Sequence, residues 1–306
     1  MIEVKDIHKS FNDHHILKGV SATFHKGQTS MIIGSSGSGK TVFLKCLLGL
    51  FTPEKGDICY DDRHYSKMSL SEKRGLRKEI GMVFQGGALF DSETIEDNVK
   101  FPLKMFTDQS QEEMLDRVNF VLNRVHLDNV NSKFPAELSG GMQKRVAIAR
   151  AIVMNPKYLF CDEPNSGLDP LGVQEMRSII LEEKKKGVTV FLNSHQLLEV
   201  EKICDRVAIL NRGEVVAQGS RDELTGKHGI EMQIEDINDA ILQYLKSLDS
   251  DMDVKEDKIV ISPKNISTED ERKIPAKIIE MGGEIIHYSR KQESLEEIFK
   301  RVIGEN

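Results

Sequence analysis

Hydrophobic and polar positions change period several times along this chain of 306 residues, and each change predicts an element. Ile2, Val4 and Ile7 open a β-rich start, Val20 to Phe24 alternates, and Thr29 to Ile33 runs as a short buried strand. Val42, Leu44, Leu47 and Leu48 then suit a helix. Gly56 to Tyr60 reads as a strand, Ser69 to Lys78 as a short charged helix, and Ile80 to Phe84 as another apolar strand. Helical periodicity follows over Thr94 to Phe106 and Gln111 to His126, the second with Leu115, Val118, Val121, Leu122 and Val125 on one face. A further helix runs through Val146, Ile148, Ala149 and Ile152, and Tyr158 to Cys161 and Val188 to Leu192 are core strands. These helices form an insert over about residues 88–155.

From Ser220 the pattern changes. Glu231 to Asp236, Lys258 to Ser262 and Glu284 to Tyr288 read as strands, alternating with helices over Asp236 to Leu248, Thr268 to Met281 and Ser294 to Val302. This alternation predicts a small C-terminal α+β module over residues 220–306, with Val260, Ile278, Ile279, Ile285 and Ile286 in its core. It carries no nucleophile, metal cluster or phosphate loop, so its expected role is dimer support or regulation.

Charge sharpens that boundary. Residues 1–219 hold 29 Lys+Arg and 29 Asp+Glu, whereas residues 220–306 hold 13 and 20, so the net −7 lies entirely in the last segment. An acidic module on a neutral core argues against nucleic acid as a partner. No apolar run approaches the length of a bilayer span, and Met1 to Asp6 is charged rather than signal-like, so a cytoplasmic location is expected. Cys46, Cys59, Cys161 and Cys204 are widely spaced without a C-x-x-C pair; spacing indicates neither a disulfide framework nor a zinc site, and they read as small buried hydrophobes.

The candidate chemistry begins at Gly34-Ser35-Ser36-Gly37-Ser38-Gly39-Lys40-Thr41, which fits G-x-x-x-x-G-K-[ST] between a strand and a helix. Three glycines let the backbone wrap a triphosphate, and the loop N–H groups and helix N-terminus present positive charge. Lys40 adds a full charge, and the Thr41 hydroxyl suits Mg2+. Gln85 at its strand's mouth either reaches a metal or water or is a solvated strand end. Ser139 caps a helix opened by Gly140 and Gly141, a second anion-attracting end. Asp162 and Glu163 end a core strand, one suited to magnesium and the other to proton abstraction. His195 follows another core strand, and a histidine at the same edge as Gln85, Asp162 and Glu163 is not isolated. Phe11 either stacks on a base or belongs to the core.

With these motifs in this order, residues 1 to about 219 resemble the ATP-binding subunit of an ABC transporter. The motifs that carry the likeness are Phe11, the phosphate loop, Gln85, Leu138-Ser139-Gly140-Gly141-Met142, Asp162-Glu163, Ser166-Gly167-Leu168-Asp169 and His195. Met142, Asn165 and Phe11 depart from the commonest pattern, where Gln, Thr and Tyr are frequent, without removing a catalytic group.

The resemblance implies an α/β fold: a RecA-like P-loop NTPase core with an antiparallel β subdomain and a helical insert, followed by the α+β module. It implies an ATPase using ATP and Mg2+. Lys40 and the loop from Gly34 to Thr41 would hold the phosphates, Phe11 the base, Thr41 and Asp162, with Gln85 nearby, the metal. Glu163 would polarise water, His195 would steady the γ-phosphate, and Gln85 would report that phosphate to a partner. Ser139, Gly140 and Gly141 would complete the site of a second copy in a head-to-tail homodimer. The partner implied is a separate integral-membrane permease, which would hold the chain at the inner face of the cell membrane.

The likeness divides over substrate. Phe84 to Phe90 with Asp97-Asn98-Val99 resembles ATPases of phospholipid-trafficking systems that maintain outer-membrane asymmetry. The region from Asn193 to Gly219 and the C-terminal module resemble ATPases of exporters for drugs, lipids or polysaccharides, and export is the expectation. ABC-type ATPases of DNA repair or translation form the non-transport alternative; their usual long coiled-coil insertion, zinc cysteines or fused second unit is not seen in the sequence.

Overall fold

Continuous apolar runs and alternating runs fold here into two kinds of sheet. The computed structural model describes residues 1–194, 202–224, 229–248, 252–255, 258–261, 271–291 and 294–304. It divides into two compact units, Met1–Arg221 with Val302–Glu305, and Asp222–Arg301.

In the first unit, β1 (Ile2–Phe11), β2 (His14–Phe24), β4 (Lys55–Tyr60) and β5 (Arg63–His64) form an antiparallel sheet in the order β2-β1-β4-β5. Ile2, Val4 and Ile7 are all buried although 4 and 7 differ in parity, because a register shift in the pairing with β2 lies between Val4 and Ile7, where Asp6 adopts φ 52°. A bulge that returns the next apolar residue to the same face explains this.

The second sheet runs β10 (Glu214–Ser220), β9 (Arg206–Asn211), β3 (Thr29–Ile33), β8 (Thr189–Asn193), β7 (Tyr158–Asp162), β6 (Ile80–Val83), parallel except for β10. Every residue of β3, β7 and β8 is buried, as expected of a parallel sheet covered on both faces. Helix α1 (Lys40–Leu47) buries Phe43, Leu44 and Leu47 in a core shared by both sheets. There Phe24 meets Phe191 edge-on at 4.6 Å and Tyr60 meets Tyr158 at 5.2 Å. Truncating a buried aromatic of this kind removes about 3–5 kcal/mol.

Helix α2 (Leu70–Lys78) starts at a capping box of Ser69 and Glu72. The insert holds α3 (Ile95–Phe106), capped by Thr94; α4 (Gln111–Arg124), begun by a capping box of Ser110 and Glu113; and α5 (Gly140–Ile152), capped by Ser139. Helix α6 (Pro170–Lys185) follows an Asp169 cap.

After the short α7 (Arg221–Leu224), the second unit runs β11 (Gly229–Glu235), α8 (Asp239–Leu248), β12 (Asp253–Lys255), β13 (Lys258–Ile261), α9 (Ile274–Glu280), β14 (Glu284–Lys291) and α10 (Leu295–Ile303). Its sheet order β12-β13-β11-β14 is antiparallel throughout, a split βαββαβ arrangement. Ile230, Met232, Ile234, Ile241, Leu245, Ile259, Ile261, Ile274 and Ile278 are its core. Of the expected core residues, Ile278 belongs to it and Ile285 packs against it half-buried, while two lie outside it. Ile279 is one helical step round from Ile278 and is 61% exposed; Ile286 sits in the register shift between Ile285 and His287 and is 51% exposed. The side chain of Val260 and the proposed helical residues 268–270 lie outside the described residues. Among the described residues no helix is long and apolar enough to cross a membrane.

Candidate functional site

Because β3, β6, β7 and β8 are parallel neighbours, their carboxyl ends share one edge, and the sequence candidates follow those ends. Gly34 to Gly39 leaves β3 and turns into α1. A Cβ on Gly34 would lie 2.3 Å from the Leu210 carbonyl oxygen and 2.5 Å from Ser38 Oγ, so no side chain fits there. Gly39 adopts φ 106°, and a Cβ on it would lie 3.0 Å from Leu17 on β2. Lys40 folds back over the loop, donating to the carbonyls of Gly34 at 2.7 Å and Ser35 at 3.0 Å. Burial pushes its amine below the ordinary lysine value, against the opposing pull of Glu163 and Asp162. Those carboxylates therefore act electrostatically on the loop's cation.

Asp162 ends β7 and is 9% exposed. Burial raises its carboxyl above the ordinary value, partly offset by the Asn193 amide, which donates to Oδ1 at 2.6 Å; Glu163 raises it further, and Lys45 and Lys40 lower it. Asn193 is set opposite Asp162 by the β7/β8 register. Glu163 adopts φ 50°, uncommon for a residue with a side chain, and its N–H donates to the Asn193 carbonyl at 2.8 Å. The chain thus turns sharply off the strand between the two carboxylates. Backbone outliers of this kind cluster at functional sites.

Gln85 is exposed just beyond β6. Its carbonyl accepts from Lys144 Nζ at 2.5 Å, and the same amine reaches the Glu163 carbonyl at 3.4 Å. Lys144, on α5 and buried, thus ties the exits of β6 and β7 together; burial lowers its pKa, while Glu163 and Asp162 raise it. Beyond Gln85, Arg150 donates to the carbonyls of Gly87 at 2.6 Å and Ala88 at 2.8 Å. Buried Asn98 closes the loop by accepting from the Phe90 N–H and donating to the Phe90, Glu93 and Thr94 carbonyls. Composition and period single out neither Lys144 nor Asn193. The available signal was that a lysine at 144 shares the stripe of Ala147, Ile148 and Ala151, where a charge needs polar partners.

Phe11, 39% exposed, stands edge-on to Phe51 at 5.1 Å with Lys9 over its ring, at the tip of the β1–β2 hairpin whose Leu17 abuts Gly39. Ser139 and Gly140 are exposed at the start of α5, where Ser139 Oγ accepts from the Met142 N–H at 3.3 Å. His195 lies outside the described residues.

The site fits a magnesium nucleotide on its own features. The loop bars any side chain at Gly34, Ser38 Oγ and Asn193 Oδ1 are buried with no hydrogen-bond partner among the described residues, and Thr41 and Asp162 offer hard oxygen donors.

Comparisons with known proteins agree with this geometry. The family described as ABC transporter matches residues 17–166. The methionine import ATP-binding protein MetN of Clostridioides difficile (strain 630) is 38% identical over 225 residues, covering 73% of this chain and 70% of its own. The probable ribonucleotide transport ATP-binding protein mkl of Mycobacterium leprae (strain TN) is 38% identical over 224 residues, covering 73% and 65%. Among solved structures, the dimeric post-hydrolysis state of the ATP-binding cassette MJ0796, bound to ADP and Pi, aligns with a TM-score of 0.67 at 29% identity, covering 72% of this chain and 98% of that one.

Proposed function

This chain belongs to the ABC transporter family of ATP-binding proteins, and from that premise we propose that it hydrolyses ATP as a head-to-tail pair to drive a separate membrane permease. The observation that carries the reading is the convergence of the phosphate loop, Asp162, Glu163 and the Gln85 backbone at one edge of the parallel sheet, with Lys144 joining two of the exits.

Phosphoryl transfer to water is mostly positioning and charge neutralisation. Lys40 and the N–H groups of Gly37 to Thr41 bind the β- and γ-phosphates, and Phe11 meets the base. Thr41 and Asp162 would hold magnesium, which when bound supplies positive charge beside the γ-phosphate. Glu163 accepts the proton of the attacking water, and Gln85 and His195 attend the γ-phosphate. Ser139, Gly140 and Gly141 complete the site of the opposite copy, an isologous arrangement natural to a two-fold pair.

The permease docks on the groove lined by Phe84, Phe90, Phe101, Phe106, Arg77 and Arg150, beside the loop that Asn98 closes. Docked there, the chain works from the cytoplasmic face of the membrane. The relatives' names, methionine import and ribonucleotide transport, give no support to the expectation of export. We place the chain with an uptake system for a small polar solute. A phospholipid-trafficking permease is the second reading, carried by the resemblance of Phe84 to Phe90.

Purifying Glu163→Gln from membranes with ATP and identifying the permease it retains decides between them. An uptake permease without bound lipid supports the first reading. A permease carrying phospholipid selects the second, a six-helix exporter restores export, and a soluble partner or nucleic acid alone overturns the transport reading.

A further inference from the structure

We propose that Asp57, Cys59 and His64 form a binding site for one zinc-class divalent cation on the β4–β5 hairpin, separate from the nucleotide site. Among the described residues this is the one group of three His, Cys, Asp or Glu side chains whose ligand atoms converge, all within 4.8 Å of one another.

The hairpin builds the convergence. Asp61 and Asp62 both adopt positive φ, 45° and 67°, as a two-residue type I′ turn requires. That turn pairs Tyr60 with Arg63 and hence Cys59 directly with His64. Asp57 lies two residues before Cys59 on the same strand face. Cys59 Sγ is 3.1 Å from His64 Nδ1 and 3.7 Å from Asp57 Oδ2, and Asp57 Oδ2 also meets His64 Nδ1. Sulfur-to-nitrogen and sulfur-to-oxygen edges of a tetrahedral zinc site, from bonds of about 2.3 Å and 2.0–2.2 Å, are about 3.6 Å.

The surroundings fit a ligand set better than a chain of hydrogen bonds. Asp57 Oδ2 draws both donors, the Cys59 thiol at 3.7 Å and His64 Nδ1, so the three ligand atoms already face one point. A divalent cation serves all three at once, displacing the thiol proton to solvent while the imidazole keeps its N–H on Nε2. Ser66 Oγ donates to Asp57 Oδ1 at 2.8 Å, fixing the carboxylate with Oδ2 toward the other two, the orienting contact that ligating carboxylates usually have. Cys59 is 5% exposed and His64 43%, so the thiol is sheltered while an ion can enter past the ring. Glu3, opposite Cys59 on β1, is paired with Lys5 at 3.2 Å, so the neighbouring strand adds a balanced ion pair; water completes the fourth position. A sulfur, nitrogen and oxygen set selects zinc-class ions over Mg2+ and Ca2+.

The test is titration of the untagged full chain with Co2+, without nucleotide. The expected result is a thiolate-to-cobalt charge-transfer absorption that saturates at one equivalent and is displaced by Zn2+. Cys59→Ser abolishes the absorption, Cys46→Ser retains it, and His64→Ala, on the exposed side of the hairpin, weakens Co2+ binding at least tenfold. Zn2+ should also raise the thermal midpoint of the wild type but not of His64→Ala. Absence of the absorption in the wild type, or its persistence in Cys59→Ser, overturns the proposal.

Discussion

Lys144 is the residue whose role the structure adds most plainly. Its amine is buried and spends its hydrogen bonds on two carbonyls, one at each of two strand exits. Lys144→Met keeps the length of the side chain and removes the link. We expect ATP affinity within twofold of wild type and a kcat lower by about tenfold or more, since small misplacements of reacting groups have effects of that size. Equal losses in affinity and kcat would assign Lys144 to general stability instead. Glu79 shows the opposite case, a charge that holds the fold. Arg63 grips it with two hydrogen bonds, 2.9 and 2.8 Å, and Lys157 lies 3.2 Å away, so Arg63 chiefly holds its carboxyl below the ordinary value. A depressed folded-state value gives stability that is present above the unfolded carboxyl value of about 4.3 and lost as pH falls through the folded one. Glu79→Gln should therefore lower the thermal midpoint at neutral pH, by the equivalent of about 1–2 kcal/mol, and the difference should vanish in acid. A constant difference across pH would contradict the assignment.

At the scale of elements, the phosphate loop depends on the backbone that surrounds it. Gly34→Ala would press a methyl group against the Leu210 carbonyl, a backbone atom that cannot step aside without moving β9. Overpacking of this kind removes about 1–3 kcal/mol. A lower melting temperature together with weakened ATP binding is expected; an unchanged melt would mean that the loop yields freely. Strands and helices were largely legible, because their periods are local: β3, β7 and β8 as apolar runs, α3 and α4 by helical stripes with serine or threonine caps. Residue chemistry likewise announced Lys40, Asp162 and Glu163. What stayed hidden was set by pairing across the chain. Asn193 matters because the β7/β8 register places it opposite Asp162, and His64 matters because a type I′ turn places it opposite Cys59. Ile7 and Ile286 both sit at register shifts, where period alone assigns the wrong parity or face. A spacing rule for cysteines could not see a ligand set drawn from two paired strands.

At the scale of the whole molecule, the proposed function needs three parts of the first unit together: the nucleotide edge, the groove proposed for the permease and the α5 N-terminus proposed to serve a second copy. The second unit has its own core and is not needed to explain the chemistry. Glu163 is the point on which the proposed function depends, because the role proposed for it divides binding from turnover. The measurement is phosphate release beside ATP-dependent association, for the wild type and for Glu163→Gln, with Lys40→Ala as the binding-deficient reference. We predict that Glu163→Gln binds ATP as the wild type does, pairs stably in its presence, and releases phosphate at least about a hundredfold more slowly, the upper part of the range for losing a general base. Lys40→Ala should neither bind nor pair. Glu163→Gln releasing phosphate at the wild-type rate, or failing to pair while ATP is bound, would contradict the account.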